Sequence, residues 1–265
     1  MSTQRLIQAI RGMGEVPPES SWHFQYAESA FRTLLFTYGY QEIRLPLLER
    51  TDLFKRGIGN ATDIIEKEMY TFLDRGGDSV SLRPEGTAGC VRAALEYGLL
   101  HNQTQKLFYV GPMFRYERPQ KGRLRQFHHL GAEAFGFKGP EIDAEMIAMS
   151  ARFFHQMGVS SHLELQINTL GLPEERAAYR TALVQYFKAH ESQLDEDSQR
   201  RLVTNPLRIL DSKNPELAEI IQKAPKILEF LGEESRTYFE RLKQSLEVLS
   251  IPYKVVPTLV RGLDY

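Results

Sequence analysis

A basic segment without any acidic residue lies near the middle of the chain. Residues 118–125 read RPQKGRLR, which is four cations, and Arg115 adds another close by. Guanidinium and ammonium groups bind phosphate oxygens through charge-assisted hydrogen bonds. The segment therefore favours phosphate, either a nucleotide's or an RNA backbone's, as the ligand of this region.

The stretches on either side, 107–117 and 126–137, alternate with a period of two, which predicts two strands of a hairpin. One face is apolar, whereas the other is mixed and has two glycines that would let a ligand approach the backbone. Residues of the mixed face are Tyr109, Gly111, Met113, Arg115, Glu117, Phe127, His129, Gly131, Glu133 and Phe135. Such a face suits a binding groove in which Phe127 stacks on a base. A solvated sheet face with incidental charges has the same pattern.

The elements around this hairpin alternate between helix and strand patterns. A helix is predicted from Pro17 to Gly39, with an apolar stripe that begins at Trp22 and Tyr26, followed by a strand over 40–46. A hairpin is predicted around 74–78, and a helix over 87–99. Residues 172–251 are helical in pattern without clear strands. These features predict an α+β fold, an antiparallel sheet flanked by helices, with a catalytic domain over 1–171, a helical insertion over 172–251 and a return to the first domain over 252–265.

Composition excludes several classes of protein. The formal net charge of the 265-residue chain is −1, so any nucleic-acid surface must come from a local cluster. No apolar run approaches the ~20 residues of a membrane helix, and we expect a cytoplasmic protein without membrane contact. The single cysteine, Cys90, lies in an apolar helical pattern, so we interpret it as a core residue. No metal site is predicted.

Four ordered segments resemble the histidyl-tRNA synthetases, a family of class II aminoacyl-tRNA synthetases. Residues 111–119 (GPMFRYERP) with 125–133 (RQFHHLGAE) resemble motif 2 of that class. Residues 82–87 (LRPEGT) resemble the amino-acid loop, 259–265 (LVRGLDY) the histidine-specific arginine motif, and 11–13 (RGM) with Pro17-Pro18 the N-terminal signature. The resemblance runs from about residue 7 to residue 265.

The resemblance implies a two-step reaction, in which histidine and ATP give histidyl-adenylate and the histidyl group then passes to tRNA(His). Negative charge builds up on phosphate oxygens in the first step, so preorganised arginines are suitable catalysts. By resemblance Arg115 and Arg261 bind the α-phosphate from two sides. ATP, with its Mg²⁺, is a substrate in this reaction.

The remaining roles also come from the resemblance. Histidine is expected at Glu85, Gly86, Thr87, Arg115, His129, Glu133 and Tyr265; ATP at Arg115, Glu117, Arg123, Arg125 and Phe127; and tRNA at Arg118 and Gln120. Structural ion pairs are the alternative for Glu85 and Glu133. His129 departs from the family, which usually has glutamine there, so a groove-wall histidine and a ligand contact are both open.

The first helix and the strand after it resemble motif 1, which implies a homodimer; an ordinary core helix is the alternative. The family's motif 3 and anticodon-binding domain have no counterpart before residue 265, so we expect a fragment with weak or no aminoacylation. Two other functions are considered. A non-catalytic paralogue that senses histidine would explain the fold, and a single-strand RNA-binding module would explain the basic segment.

Overall fold

The structure, a computed structural model, describes residues 7–58 and 68–260. These residues form two compact units, one that ends at Phe137 and one that begins at Lys138. Within the two described ranges, no helix is both long and apolar enough to cross a membrane.

The described part of the first unit contains two small sheets and three α-helices. Its elements are α1 (Pro18–Thr37), β1 (Gln41–Glu42), β2 (Leu48–Arg50), α2 (Thr51–Ile58), β3 (Thr71–Leu73), β4 (Ser79–Leu82), α3 (Thr87–Glu96), β5 (Gln105–Phe114) and β6 (Gln126–Phe135). One sheet has the order β1-β5-β6 and the other β2-β4-β3. The two predicted hairpins, β3–β4 and β5–β6, are both present and antiparallel.

Strand β5 has buried residues on both faces of the β5–β6 hairpin, whereas the sequence predicted that only one face is core. On one face Phe108 contacts the rings of Phe31 and Phe36 of α1, at centroid distances of 5.9 and 5.4 Å. On the other face Tyr109 packs with Cys90 of α3. Cys90 is fully buried, and burial raises the pKa of its thiol to about 12, as expected of a core cysteine.

One short strand differs from its prediction. The strand expected over 40–46 is shorter in the structure, where only β1 (Gln41–Glu42) is a strand. It pairs in parallel with β5, which the long crossover of residues 43–104 between the two strands allows. It ends early because the carbonyls of Leu45 and Pro46 accept hydrogen bonds from the Arg83 guanidinium, at 2.8 and 3.3 Å, rather than from a neighbouring strand.

Helix α1 buries only part of its predicted apolar stripe. Ala30, Phe31 and Leu35 are buried, but Trp22 and Tyr26 are 57% and 51% exposed. The sequence pattern alone does not distinguish an apolar residue that is buried within the chain from one that faces outward.

The second unit is mostly helical, as predicted for the part after Gly171. Its elements are α4 (Glu141–Gln156), β7 (Gln166–Ile167), α5 (Pro173–Ala189), α6 (Glu196–Thr204), α7 (Ala218–Lys223), α8 (Glu233–Val248) and β8 (Lys254–Val255). Helices α5 to α7 share one core, while α8 shares another with α4, β7 and β8. The Glu175 carboxylate accepts from the backbone nitrogens of Leu172 (2.8 Å) and Gly232 (2.6 Å), so it joins the two ends of the α5–α7 segment.

Candidate functional site

A half-buried carboxylate, that of Glu133, lies on the mixed face of the β5–β6 hairpin. Oε1 of Glu133 accepts hydrogen bonds from the Thr87 hydroxyl at 2.7 Å and from the Tyr109 hydroxyl at 3.1 Å. Burial raises the pKa of Glu133, and the charge of Glu85 adds to this, whereas the two hydrogen bonds oppose it. We call Thr87, Tyr109 and Glu133 the acidic cluster. It offers a negatively polarised contact for a cationic or N–H-bearing ligand group.

Glu85 holds the beginning of α3. Its two carboxylate oxygens accept from the backbone nitrogens of Thr87 (2.6 Å) and Ala88 (2.9 Å), which otherwise have no partner within the helix. The residue is only 5% exposed. A carboxylate at a helix N-terminus is also favoured by the helix dipole. Glu85 therefore has a structural function here, whatever ligand it also meets.

The glycines of this face make room for protein side chains. A Cβ atom added to Gly131, or to Gly86, would overlap the ring of Tyr109, and one added to Gly111 would overlap Nη2 of Arg83. Tyr109 and Gly131 are directly paired across the two strands. The sequence interpretation, in which the glycines leave a bare floor for a ligand, is therefore wrong at Gly131 and Gly111.

Arg115 follows the last residue of β5 and is anchored at one atom. Its Nε donates to the carbonyl of Pro84 at 2.9 Å, and its guanidinium carbon lies 5.3 Å from the centre of the Phe127 ring. Within residues 7–58 and 68–260, its Nη1 and Nη2 have no hydrogen-bond partner. An arginine that is held at Nε and stacked on a ring presents its two outer donors in a fixed direction, which suits a phosphate or carboxylate.

His129 lies on the same face, paired across the strands with Gly111. Its Nδ1 is buried and has no hydrogen-bond partner in the described part of the chain. Burial lowers the pKa of the imidazole, and the charges of Arg115 and Arg83 lower it further. Both effects favour the neutral form of the imidazole.

The basic segment after Arg115 forms a turn with internal contacts. Arg125 donates from Nε to the Glu117 carbonyl at 3.1 Å, and its guanidinium carbon lies 3.9 Å from the centre of the Tyr116 ring. Arg123 pairs with the Glu117 carboxylate at 3.4 Å. Arg125 is thus held in place, while Arg123 is exposed and its ion pair is weak.

The N-terminal segment is attached to the same turn. The Gly12 carbonyl accepts from the backbone nitrogens of Arg125 (2.8 Å) and Gln126 (3.0 Å). Gly12 has a φ of +85°, and a Cβ there would lie 3.0 Å from Cγ of Pro119, so glycine is required. Arg118 and Gln120, beyond the attachment, are exposed at the end of the turn.

The structure thus brings together Glu85, Gly86, Thr87, Arg115, Phe127, His129 and Glu133, which lie on β5–β6, at the N-terminus of α3 or next to them. Arg261 and Tyr265 are outside the described residues, and their expected roles stay predictions. Sequence reasoning assigned no function to Tyr109 and Arg83. The pairing of a tyrosine with a glycine across two strands was the available signal for Tyr109, because a ring commonly packs over a facing glycine.

Comparison with known proteins gives one consistent result. The family model described as histidyl-tRNA synthetase matches residues 12–265. Histidine–tRNA ligase of Halorhodospira halophila is 59% identical over 259 residues, which is 98% of this chain and 61% of that protein. The enzyme of a Marinomonas species is 58% identical over 261 residues, 98% of this chain and 62% of the relative.

A solved structure agrees with these sequences. The crystal structure of apo histidyl-tRNA synthetase from S. aureus matches with a TM-score of 0.76 and 41% identity, over 98% of this chain and 59% of that one. The predicted α+β fold is confirmed. The chain spans about 60% of the length of the curated relatives that it matches.

Proposed function

The chain belongs to the histidyl-tRNA synthetase family, and from this premise we propose that it serves the ATP-dependent activation of histidine and its transfer to tRNA(His) in the cytoplasm. One observation carries the proposal. Tyr109 and Glu133 of the acidic cluster share the mixed face of the β5–β6 hairpin with His129, whose pKa is lowered by burial and by the nearby charge of Arg115. One face thus offers groups for a cation and groups for an anion. Activation of an amino acid needs both, because an ammonium and a phosphate must be bound together.

In the proposed first step a carboxylate oxygen of histidine attacks the α-phosphorus of ATP. A new P–O bond forms, the bond to the bridging oxygen breaks, and pyrophosphate leaves with the electron pair. Arg115 stabilises the negative charge on the α-phosphate oxygens through its outer donors, which have no partner among residues 7–58 and 68–260. Arg261 is retained as the second α-phosphate arginine on the resemblance alone.

Recognition of histidine is proposed for the acidic cluster and its neighbours. Glu133, already polarised by Thr87 and Tyr109, accepts from the imidazole or the ammonium group of the ligand. Glu85 and Gly86 shape the amino-group side through the N-terminus of α3. His129 borders the ligand from the same face of the hairpin. For Tyr265, again, only the resemblance supports a contact.

ATP binding is proposed for the turn after β5. Phe127, which already stacks under Arg115, and Glu117 form the adenine side. Arg123 and Arg125 contact the triphosphate. Mg²⁺ is proposed to arrive with ATP. Within the two described ranges no group of three or more His, Cys, Asp or Glu side chains is arranged to hold a metal. The phosphate contacts proposed for the chain itself are guanidinium groups.

Two further contacts are proposed at the periphery of this unit. Arg118 and Gln120, exposed at the end of the turn, are suited to the acceptor end of tRNA(His). A homodimer is proposed through α1, whose Trp22 and Tyr26 are more than half exposed. An exposed aromatic side chain of this size is common at protein interfaces.

Calorimetric titration of this chain tests the proposal. Histidine and the histidinol ester of AMP, which mimics histidyl-adenylate and keeps the phosphate, are titrated separately, with AMP and histidinol as controls. We expect the ester to bind at least ~100-fold more tightly than histidine, because it engages both halves of the site. Binding of histidine alone would indicate the sensing paralogue instead. If neither binds while single-stranded RNA does, the chain is an RNA-binding module.

A further inference from the structure

Arg83 is a buried cation that has no ionic partner among residues 7–58 and 68–260. The residue is only 5% exposed. In the described part of the chain no carboxylate lies within ion-pair distance of its guanidinium, although Glu49 interacts with it electrostatically over a longer distance. Burying a charge in this way is unfavourable unless hydrogen bonds compensate for it. The bonds that the guanidinium makes therefore indicate why an arginine is present.

Those bonds all go to backbone carbonyls of other segments. Nε donates to Pro112 of β5 at 2.9 Å, and Nη1 donates to Leu45 and Pro46 at 2.8 and 3.3 Å. The backbone of Arg83 adds two bonds, from its nitrogen to Leu47 and from Phe114 to its carbonyl, at 2.9 and 3.0 Å. Arg83 thus ties the segment before β2 and the end of β5 to the turn that begins α3.

The next residue in the chain connects this tie to the candidate site. The Pro84 carbonyl accepts the only hydrogen bond that the Arg115 guanidinium makes within the described ranges. A shift of the turn would therefore rotate Arg115. Nη2 of Arg83 lies over Gly111, where a side chain would displace it. Both the arginine and the glycine are needed for the same arrangement.

We infer that Arg83 is a positioning residue. Its buried guanidinium fixes the turn at Pro84 against β5, and the Pro84 carbonyl then fixes the direction in which Arg115 presents its outer donors. This inference rests on the proposed function, in which those donors bind the α-phosphate. Lysine cannot replace Arg83, because an ammonium is a point charge without the planar fork that spans two segments.

Three variants of this chain test the inference: Arg83→Lys, Gly111→Ala and, as a matched control, Arg92→Lys. Arg92 is an arginine of the same unit whose partners are Glu49 and Glu96. In Arg83→Lys and in Gly111→Ala we expect affinity for the histidinol ester of AMP to fall about 10- to 100-fold, the scale for misplacing a group by about 1 Å. Affinity for histidine, which offers Arg115 a carboxylate but no phosphate, should fall less than affinity for the ester, and the control should match the parent chain for both ligands.

A double-mutant cycle separates positioning from general weakening of the fold. If Arg83 acts through Arg115, Arg83→Lys has little further effect on ester affinity in an Arg115→Ala background. Additive losses, or equal losses for the ester and for histidine, would overturn the inference. Gly111→Ala keeps the test decisive if Arg83→Lys does not fold.

A spectroscopic reading does not depend on the proposed function. The Arg115 Nε–H, held by Pro84, should give a slowly exchanging proton signal in ¹⁵N-labelled chain, identified by its loss in Arg115→Lys. Arg83→Lys and Gly111→Ala should each weaken its protection, while Arg92→Lys should not. A signal unchanged in both site variants would refute the positioning role. Absence of ester binding in the parent chain would refute only the proposed function.

Discussion

Replacement of Glu133 by glutamine should separate what this carboxylate does for ligand binding from what it does for stability. Glutamine has the same shape and keeps an oxygen to accept from Thr87 and Tyr109, which stand 2.7 and 3.1 Å away in the parent chain. Only the charge is removed. A hydrogen bond to a charged group contributes roughly 1.5–3 kcal/mol, so the affinity for histidine should fall about 10- to 150-fold.

Stability should change in the opposite direction. Because burial raises the pKa of Glu133, the folded chain holds this proton more tightly than the unfolded chain does. The contribution of Glu133 to the stability is therefore fully present below the pKa that this group has in the unfolded chain. It is lost as the pH rises through the pKa that the group has in the folded chain. Glutamine does not titrate, so the variant should be at least as stable as the parent above that pKa. The difference should shrink as the pH falls.

Urea unfolding between about pH 5 and about pH 9, with histidine titrations at neutral pH, measures both effects. Tyr109→Phe is the complementary variant, since it keeps the charge and removes one donor. It should lower the stability by roughly 1.5–3 kcal/mol at neutral pH. If Glu133→Gln is instead less stable than the parent at every pH and binds histidine normally, Glu133 is a structural group and its assignment to the ligand is wrong.

Three other changes have expected outcomes. Gly131→Ala should lower the free energy of unfolding by about 1–3 kcal/mol, because the new methyl group overlaps the Tyr109 ring; a smaller loss in urea unfolding would mean that the ring moves freely. His129→Gln should remove a loss of stability on acidification. Because the imidazole pKa is lowered in the folded chain, its contribution to stability is present above the pKa of the unfolded chain and is lost as the pH falls through the pKa of the folded chain. The melting temperatures of parent and variant should therefore diverge at acid pH. Gly12→Ala should release the N-terminal segment, because the φ of +85° at Gly12 and its approach to Pro119 both exclude a side chain. Exchange of the Arg125 amide proton should then become faster. Gly14→Ala is the control, since a side chain at Gly14 has open space, and it should leave that exchange unchanged.

The sequence predicted the β5–β6 hairpin and which residues share a face, because a period of two determines both once the turn is located. Observed pairs such as Tyr109 with Gly131 follow that alternation. The use of the face could not be predicted. Nothing in a period of two tells whether the space above a glycine holds a ligand or a long side chain from the same chain, and Tyr109 and Arg83 take that space here.

Burial and charge in this site are coupled, which explains why the same residues stabilise the fold and form the candidate site. Glu85 caps α3 and Arg83 ties two segments to β5, yet both carry charges that act on their neighbours. Burial raises the pKa of Glu133, and Glu85 adds to this shift. Burial also lowers the pKa of His129, and Arg115 and Arg83 lower it further. Burial and these charges together favour the protonated carboxyl at Glu133 and the neutral imidazole at His129. Binding of a cationic ligand group beside Glu133 would oppose the first of these shifts, so histidine should bind with release of a proton wherever Glu133 is protonated beforehand. Calorimetry in buffers of different ionisation enthalpy measures that proton, and Glu133→Gln should abolish its release.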